Sequence, residues 1–429
     1  MSNKNDRNKQ ELVDRIVRKT RRGAGKQSGD VERFTRQFFA NVSPQDCAET
    51  GDDCLRGAVS SLWKFAQTRK PGKIKIRVFN PESKKDGWAC GHTVVEIVND
   101  DMPFLVDSVT AELNQQGLTV HLIIHPVIRM KRSAAGKLTS VADNDEYPAA
   151  AAESVMHLQI TEQTDTGMLR ELAKSLEKVL KDVRAAVEDW RPMRVRIADV
   201  IAELDSTSPL ASVPKDEIDE SAAFLRWLDD NNFTFLGYRD YACKGGTKRQ
   251  TLSIVPRSGL GLLRDNKVTV IEGIADGAVL PPDLAAFMKR SALVLINKAN
   301  QRSTIHRGVH LDTIMVKKFD ARGNTVGQRL FVGLFTSTVY TQQVQSIPVI
   351  RRKVRQVVDD SGHSPNGHDG KALIHILETL PRDELFQIGT AELRDMATGI
   401  LHLQERQKAA MFVRRDPFGR YVSCLVYVP

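Results

Sequence analysis

Asp100 and Asp101 stand side by side after the β-rich run TVVEIV, and they are the residues of this chain that most resemble a working carboxylate pair. Adjacent acids behind a strand more commonly form the turn and cap the helix that follows, so capping is the first reading, effector contact the second and catalysis the last. With Asn99, Pro103 and Phe104 they make a candidate effector or interface turn. Other chemistry-bearing groups are weaker. His121 and His125 share one face of an extended segment, as two metal ligands would, yet no third ligand is evident, and a polar surface or interface role fits them better. The pairs His306/His310 and His363/His368 carry the same reading. Gly259-Leu260-Gly261 lacks the third glycine of a dinucleotide loop and reads as a turn. The segment 302–307, RSTIHR, could contact an anion, although an interdomain surface suits it better. The sequence contains no GxxxxGK[ST], HExxH or GxSxG. The reading therefore assigns no catalytic, cofactor-binding or metal residue.

The elements that position the turn follow from periodicity. Residues 93–98 form a β-rich strand, and Asn99, Asp100 and Asp101 stop it with turn chemistry. Asp101 is placed to cap the next helix, and Pro103 suits its first turn, where a missing N–H costs nothing. Met102, Leu105, Val106, Val109 and Leu113 recur at helical spacing and form one apolar stripe. Gly117 sits where a helix ends on a left-handed residue. Beyond it Leu118, Val120, Leu122 and Ile124 face one side of a strand, with Thr119, His121 and His125 on the other.

The bulk properties bound the rest. At 429 residues the chain holds two to four domains. No apolar run reaches the roughly 18 residues of a membrane-spanning helix, and no signal-peptide core is present. The five cysteines are scattered without a CxxC, which excludes a zinc ribbon and points to a reducing cytoplasm. The net charge of +9 permits nucleic-acid binding, but no RNA-binding motif or zinc finger supports it, and a solvated tail and helix face account for the charge.

Along the chain, residues 1–30 are basic and polar and read as a frayed helix or disordered lead-in. Helical spacing runs from 31 to 66, with Ser43-Pro44 starting a new element, and KIKIRVF (73–79) alternates as a strand. After the strand ending near Met130, a loop or hairpin around Gly136 and 143–145 leads to a strand at 155–160 and a long amphipathic helix at 168–189. A helix at 218–228 precedes strands at 233–241, 251–255, 268–271, 293–297, 309–319 and 330–336. Helices return at 351–358, 371–380 and 391–407. A hairpin closes the sequence, with strands at 411–415 and 421–428 around a turn at 416–419. An uncovered hairpin is marginal in water, so it reads as the opening of a further domain.

These motifs carry a resemblance. VEIVNDDMPFLVDSV with GLTVHLIIHPV resembles the N-terminal region of the large bacterial NAD-specific glutamate dehydrogenases. The likeness extends through FLRWLDDNNFTFLGYRDY, GLGLLRD, NKANQRSTIHR, LFVGLFTSTVY, IPVIRRKV, HDGKALIHILETLPRDELFQI and GILHLQERQKAAMFVRRDPFGRYVSCLVYVP. The resemblance implies an α+β, multi-domain chain: a 1–30 lead-in, a 31–72 helical segment and a first ACT-like (ferredoxin-like βαββαβ) domain at 73–205. A second mixed α/β domain at 214–345, a helical connector at 346–408 and the start of another ACT-like domain at 409–429 complete it. It also implies a full-length enzyme that oxidises L-glutamate with NAD to 2-oxoglutarate and ammonia. The catalytic segments then lie beyond residue 429, and this portion itself binds no cofactor. The implied partners are the chain's own catalytic domain, homo-oligomer subunits and an amino-acid effector, with no nucleic acid and no membrane. Effector-binding ACT domains commonly carry glycine directly after the proline of the strand-helix turn. Phe104 stands there instead, which favours an interface over a ligand pocket. The alternative is a stand-alone ACT-type amino-acid sensor or interaction module.

Overall fold

The computed structural model describes residues 2–22, 24–143, 152–206, 213–244, 251–270, 277, 279, 282–289, 292–320, 323–403, 406, 408–416 and 421–428. The chain divides into two compact units, residues 1–184 with 304–308, and residues 185–303 with 309–429.

In the first unit four helices precede the sheet: α1 (Ser2–Arg21), α2 (Ser28–Phe39), α3 (Pro44–Thr50) and α4 (Asp52–Ala66). The lead-in, read from the sequence as a frayed helix or a disordered segment, is a helix, α1, and a packed one. Its charge hides the repeat of Leu12, Val13, Ile16 and Val17, all buried, and that stripe anchors the helix by packing where composition alone argued for solvation. Ser43 caps α3 as its sequence suggests, its Oγ accepting from the Asp46 N–H at 2.9 Å with Pro44 in the first turn.

The sheet contains β1 (Lys75–Phe79), β2 (Thr93–Asp100), β3 (Val120–Ile124), β4 (Val127–Arg132), β5 (Leu138–Val141) and β6 (Ala152–Ile160). A short helix α5 (Ser83–Asp86) precedes β2, α6 (Leu105–Gln115) follows it, and α7 (Thr166–Glu188) follows β6. The strand order is β1-β2-β6-β4-β5, with β3 also on β6 and every pairing antiparallel. A ferredoxin-like βαββαβ unit places its last strand beside its first. Here that edge is taken by β1, which comes before the unit in the chain.

The strand β2 is buried at every position from Thr93 to Asn99, because both faces of the sheet are covered. Val94 and Val98 share one core with Phe34, Phe38, Leu55 and Leu62 of α2 and α4. Alternate residues Val95, Ile97 and Asn99 face the other way, toward α7, whose Arg184 donates to Asn99 Oδ1 at 2.7 Å. Gln116, just past α6, donates to Ser175 of α7 at 2.8 Å. The Glu96 carboxylate is fully buried inside the sheet. It is held by Arg77 across the β1–β2 pair at 2.6 Å, as a buried charge requires.

The second unit is built on α8 (Trp190–Ser206), α9 (Lys215–Trp227), β7 (Phe233–Lys244), β8 (Thr251–Ile254), β9 (Leu260–Gly261), α10 (Pro282–Lys289), β10 (Val294–Arg302), β11 (His310–Phe319) and β12 (Thr325–Phe335). It continues with α11 (Ile350–Asp360), α12 (His368–Thr379), α13 (Arg382–Gln387), α14 (Thr390–Leu401) and the hairpin β13 (Ala410–Arg415) with β14 (Val422–Tyr427). Its antiparallel sheet has the order β10-β11-β12-β7-β8, with β9 against β7. Helices α8, α9, α11, α12 and α14 share one apolar core with this sheet. The helix α8, which the sequence reading placed in the first ACT-like domain, therefore packs with the second unit. The segment at 268–270, expected as a strand, runs without regular structure. Its carbonyl at Val268 is instead claimed by the buried Arg239 guanidinium at 2.9 Å. Parts of the expected elements at 143–145, 268–271, 391–407 and 416–419 lie outside the described residues.

Candidate functional site: the strand-to-helix turn

The turn between β2 and α6 differs from its sequence expectation in a physically instructive way. Asn99 and Asp100 do not stop the strand; β2 runs through both, pairing with Ser154 and Glu153 of β6. Two arginines distant in sequence make this possible. Asp100 accepts from Arg69 at 2.7 Å and is bridged to Arg184 at 2.8 Å. Arg69 is buried and also meets Glu153 at 2.9 Å, while Arg132 reaches Glu153 at 2.6 Å. Burial pushes the Asp100 carboxyl up, but the hydrogen bonds and charges of Arg69 and Arg184 outweigh it and hold the group below the usual aspartate range. A carboxylate so fully claimed has little capacity left for a ligand.

Asp101 does not cap α6. Its backbone N–H pairs with Ala152 O at 3.2 Å, and the cap position falls to Phe104 without any side-chain cap. Phe104 is left-handed, with φ 71°, the region that glycine enters freely and a bulky side chain enters at a cost of about 1–2 kcal/mol. The glycine expected of effector-binding relatives thus has a backbone reason at this position as well as a steric one.

Segment 304–308, which belongs to this same unit, closes over the turn. The His306 ring lies 5.4 Å from the Phe104 ring. Its Nδ1 is 2.9 Å from Asp107 Oδ2, and its backbone N–H donates to Ser108 Oγ at 2.9 Å. Thr304 donates to Asp182 of α7 at 2.9 Å, and Ile305 is fully buried. His306 also has positive φ, 65°, so two strained residues face each other across this contact. A free amino acid bound at the first turn of α6 would compete with these groups.

The remaining candidates are dispersed. His125 pairs with Ser154 Oγ at 2.7 Å, and burial lowers its pKa. His121 instead packs its ring 4.6 Å from that of His92. His310 Nδ1 lies 3.0 Å from Ala299 O, and His363 is 3.9 Å from Asp369. Among the described residues no cluster of three metal-type ligands forms, and no helix is long and apolar enough to cross a membrane. Gly261, expected in a turn, lies instead in the short strand β9 against β7, where at φ 58° an added Cβ would lie 2.2 Å from Leu236 O. Sequence reasoning missed Arg69, Arg184, Asp107 and Ser108. Only the RSTIHR segment carried a signal, and it contacts acidic side chains of its own chain, Asp107 and Asp182.

Comparison with known proteins agrees with this architecture. The description "Glutamate dehydrogenase, ACT1 domain" matches residues 34–176, "Glutamate dehydrogenase, helical motif 1" matches 347–406 and "Glutamate dehydrogenase, ACT2 domain" matches 410–429. The chain is thus similar to the N-terminal ACT1, helical motif 1 and ACT2 region of the large NAD-specific glutamate dehydrogenases. The NAD-specific glutamate dehydrogenase of Halomonas elongata is 39% identical over 94% of the chain and 25% of its own length. That of Pseudomonas aeruginosa is 35% identical over 93% of the chain and 24% of its own length. The Mycobacterium tuberculosis protein of the same name is 30% identical over 86% of the chain and 21% of its own length. The chain thus spans about a quarter of the length of the curated relatives it matches. The ACT1 match starts at residue 34, so it takes in the second half of α2 and all of α3 and α4, whose side chains build the core beneath β2.

Proposed function

We infer that this region is the regulatory and assembly portion of a NAD-dependent glutamate dehydrogenase. The full-length enzyme would oxidatively deaminate L-glutamate to 2-oxoglutarate and ammonia in the cytoplasm, with NAD bound by its catalytic domain. Its partners are that catalytic domain and further copies of the same subunit. The observation that carries this reading is the turn at 99–104. Its carboxylate is neutralised by Arg69 and Arg184, and the first turn of α6 is covered by residues 304–308. A site filled from within its own chain serves packing and assembly better than effector capture, so the first ACT-like unit acts as a structural interface. The purified chain is expected to give no glutamate-dependent reduction of NAD. Measurable turnover by residues 1–429 would place catalysis in this region and overturn the reading. Sedimentation analysis tests the assembly part: self-association supports it, and a strictly monomeric chain at high concentration contradicts it.

A further inference from the structure

A separate cleft of the first unit, about 480 Å³ in volume, is lined by Asp46, Glu49, Cys54, Cys90, His92, His121 and Gln159 among others. It brings together two cysteines that are far apart in the sequence. Cys54 belongs to α4, and Cys90 lies in the loop before β2. Both thiols are free and partly exposed, both line this one cleft, and each perturbs the ionisation of the other. Each has one further partner. Gln159 donates to Cys54 Sγ at 3.4 Å, and Cys90 Sγ donates to His92 O at 3.6 Å.

We propose that Cys54 and Cys90 form a reversible redox pair, oxidised to a disulfide by small disulfides of the glutathione class that reach them through this cleft. The proposal stands independently of the assembly reading, since it concerns other residues on other elements.

The division of labour follows from the surroundings of each thiol. The neighbouring Cys90 and the Gln159 amide, opposed by burial, lower the Cys54 thiol, which makes it the nucleophile. Cys90 is pushed up by the neighbouring Cys54 and by burial, and its proton lies toward His92 O, so it keeps that proton. The Cys54 thiolate attacks one sulfur of the small disulfide, forming a mixed disulfide and expelling one thiolate. Capping removes the negative charge on Cys54 that kept Cys90 protonated. The expelled thiolate takes the Cys90 proton, and the Cys90 sulfur attacks Cys54 Sγ and releases the second small thiolate. The net change is two protein thiols plus one small disulfide giving one protein disulfide and two small thiols, which balances in atoms and electrons. The ionisable groups around the pair are Asp46, Glu49, His92, His121 and Glu162. The other cysteines provide internal controls: Cys47 is buried and its thiol pushed up by desolvation, and Cys424 is exposed with no cysteine partner.

The test incubates the full chain with glutathione disulfide, blocks free thiols with iodoacetamide and maps peptides by mass spectrometry. A Cys54–Cys90 linkage, cleaved by dithiothreitol, is the expected result. Cys90→Ser should trap glutathione on Cys54, whereas Cys54→Ser should leave Cys90 unmodified. The alkylation rate of Cys54 in the unmutated chain, which needs no variant to fold, should rise at a lower pH than the value of about 8.5 for an ordinary thiol. Full alkylation of both cysteines after glutathione treatment, or glutathione trapped on Cys90 and not on Cys54, would overturn the proposal.

Discussion

Two buried cation sites, one in each unit, are held in different ways, although the second unit also buries ion pairs such as Arg414 with Glu384. In the first, Arg69 and Arg132 are set against carboxylates, Asp100 and Glu153. In the second, Arg239 is 1% exposed and donates to the backbone carbonyls of Leu263, Asp265 and Val268 at 2.7–2.9 Å. Lys353 does the same for the carbonyls of Leu385, Phe386 and Ile388 at the end of α13. Carboxylate partners tie distant elements together but titrate. Carbonyl partners do not titrate, and they pin irregular backbone that has no ladder of its own. The first arrangement steadies a turn beside a helix N-terminus, and the second replaces the secondary structure missing at 262–270.

This contrast can be broken by substitution. Replacing Arg239 with Met should have the largest effect, because three carbonyls lose their donor at once, that of Leu263 buried and those of Asp265 and Val268 part-buried; a loss of about 3 kcal/mol is expected in urea unfolding. Arg69→Met should cost less, about 2–3 kcal/mol, since Arg132 still meets Glu153 and Arg184 still meets Asp100. If Arg69→Met proved the more damaging, the ionic cluster and not the carbonyl cage would be the critical one.

Acid sharpens the same comparison. The Asp100 pKa is depressed on folding, so its contribution is fully present above the ordinary aspartate value of about 3.9 and is lost as pH falls below it. Peptides of β2 and α6 should therefore lose hydrogen-exchange protection below about pH 3.9 before those around Arg239. Simultaneous loss would contradict the distinction. The smallest effect is expected for Phe104→Gly. Relief of left-handed strain, about 1–2 kcal/mol, offsets loss of the ring contact with His306, leaving stability within about 1 kcal/mol of the parent in thermal unfolding. A larger loss would mean that ring contact dominates the turn.

The β2–α6–β3 unit was legible because its signals are local: the β-rich run of β2, the stripe of Leu105, Val109 and Leu113, and Gly117 at φ 74°. What escaped the sequence was long-range. Asp100 and Asp101 look like turn formers until Arg69 and Arg184 arrive to neutralise Asp100 and extend the strand. The α1 stripe was hidden by surrounding charge, and the non-strand at 268–270 by a partner, Arg239, on another element. Phe104 was legible as a departure from glycine, but its positive φ and its partner His306 were not.

The central claim is that the strand-to-helix turn is closed by its own chain and serves as an interface. Calorimetric titration of the purified chain with L-glutamate, L-aspartate and L-arginine tests it most directly. The account expects no saturable heat from any of the three. Saturable binding that disappears in Ser108→Ala, where the first turn of α6 loses its hydroxyl, would contradict it.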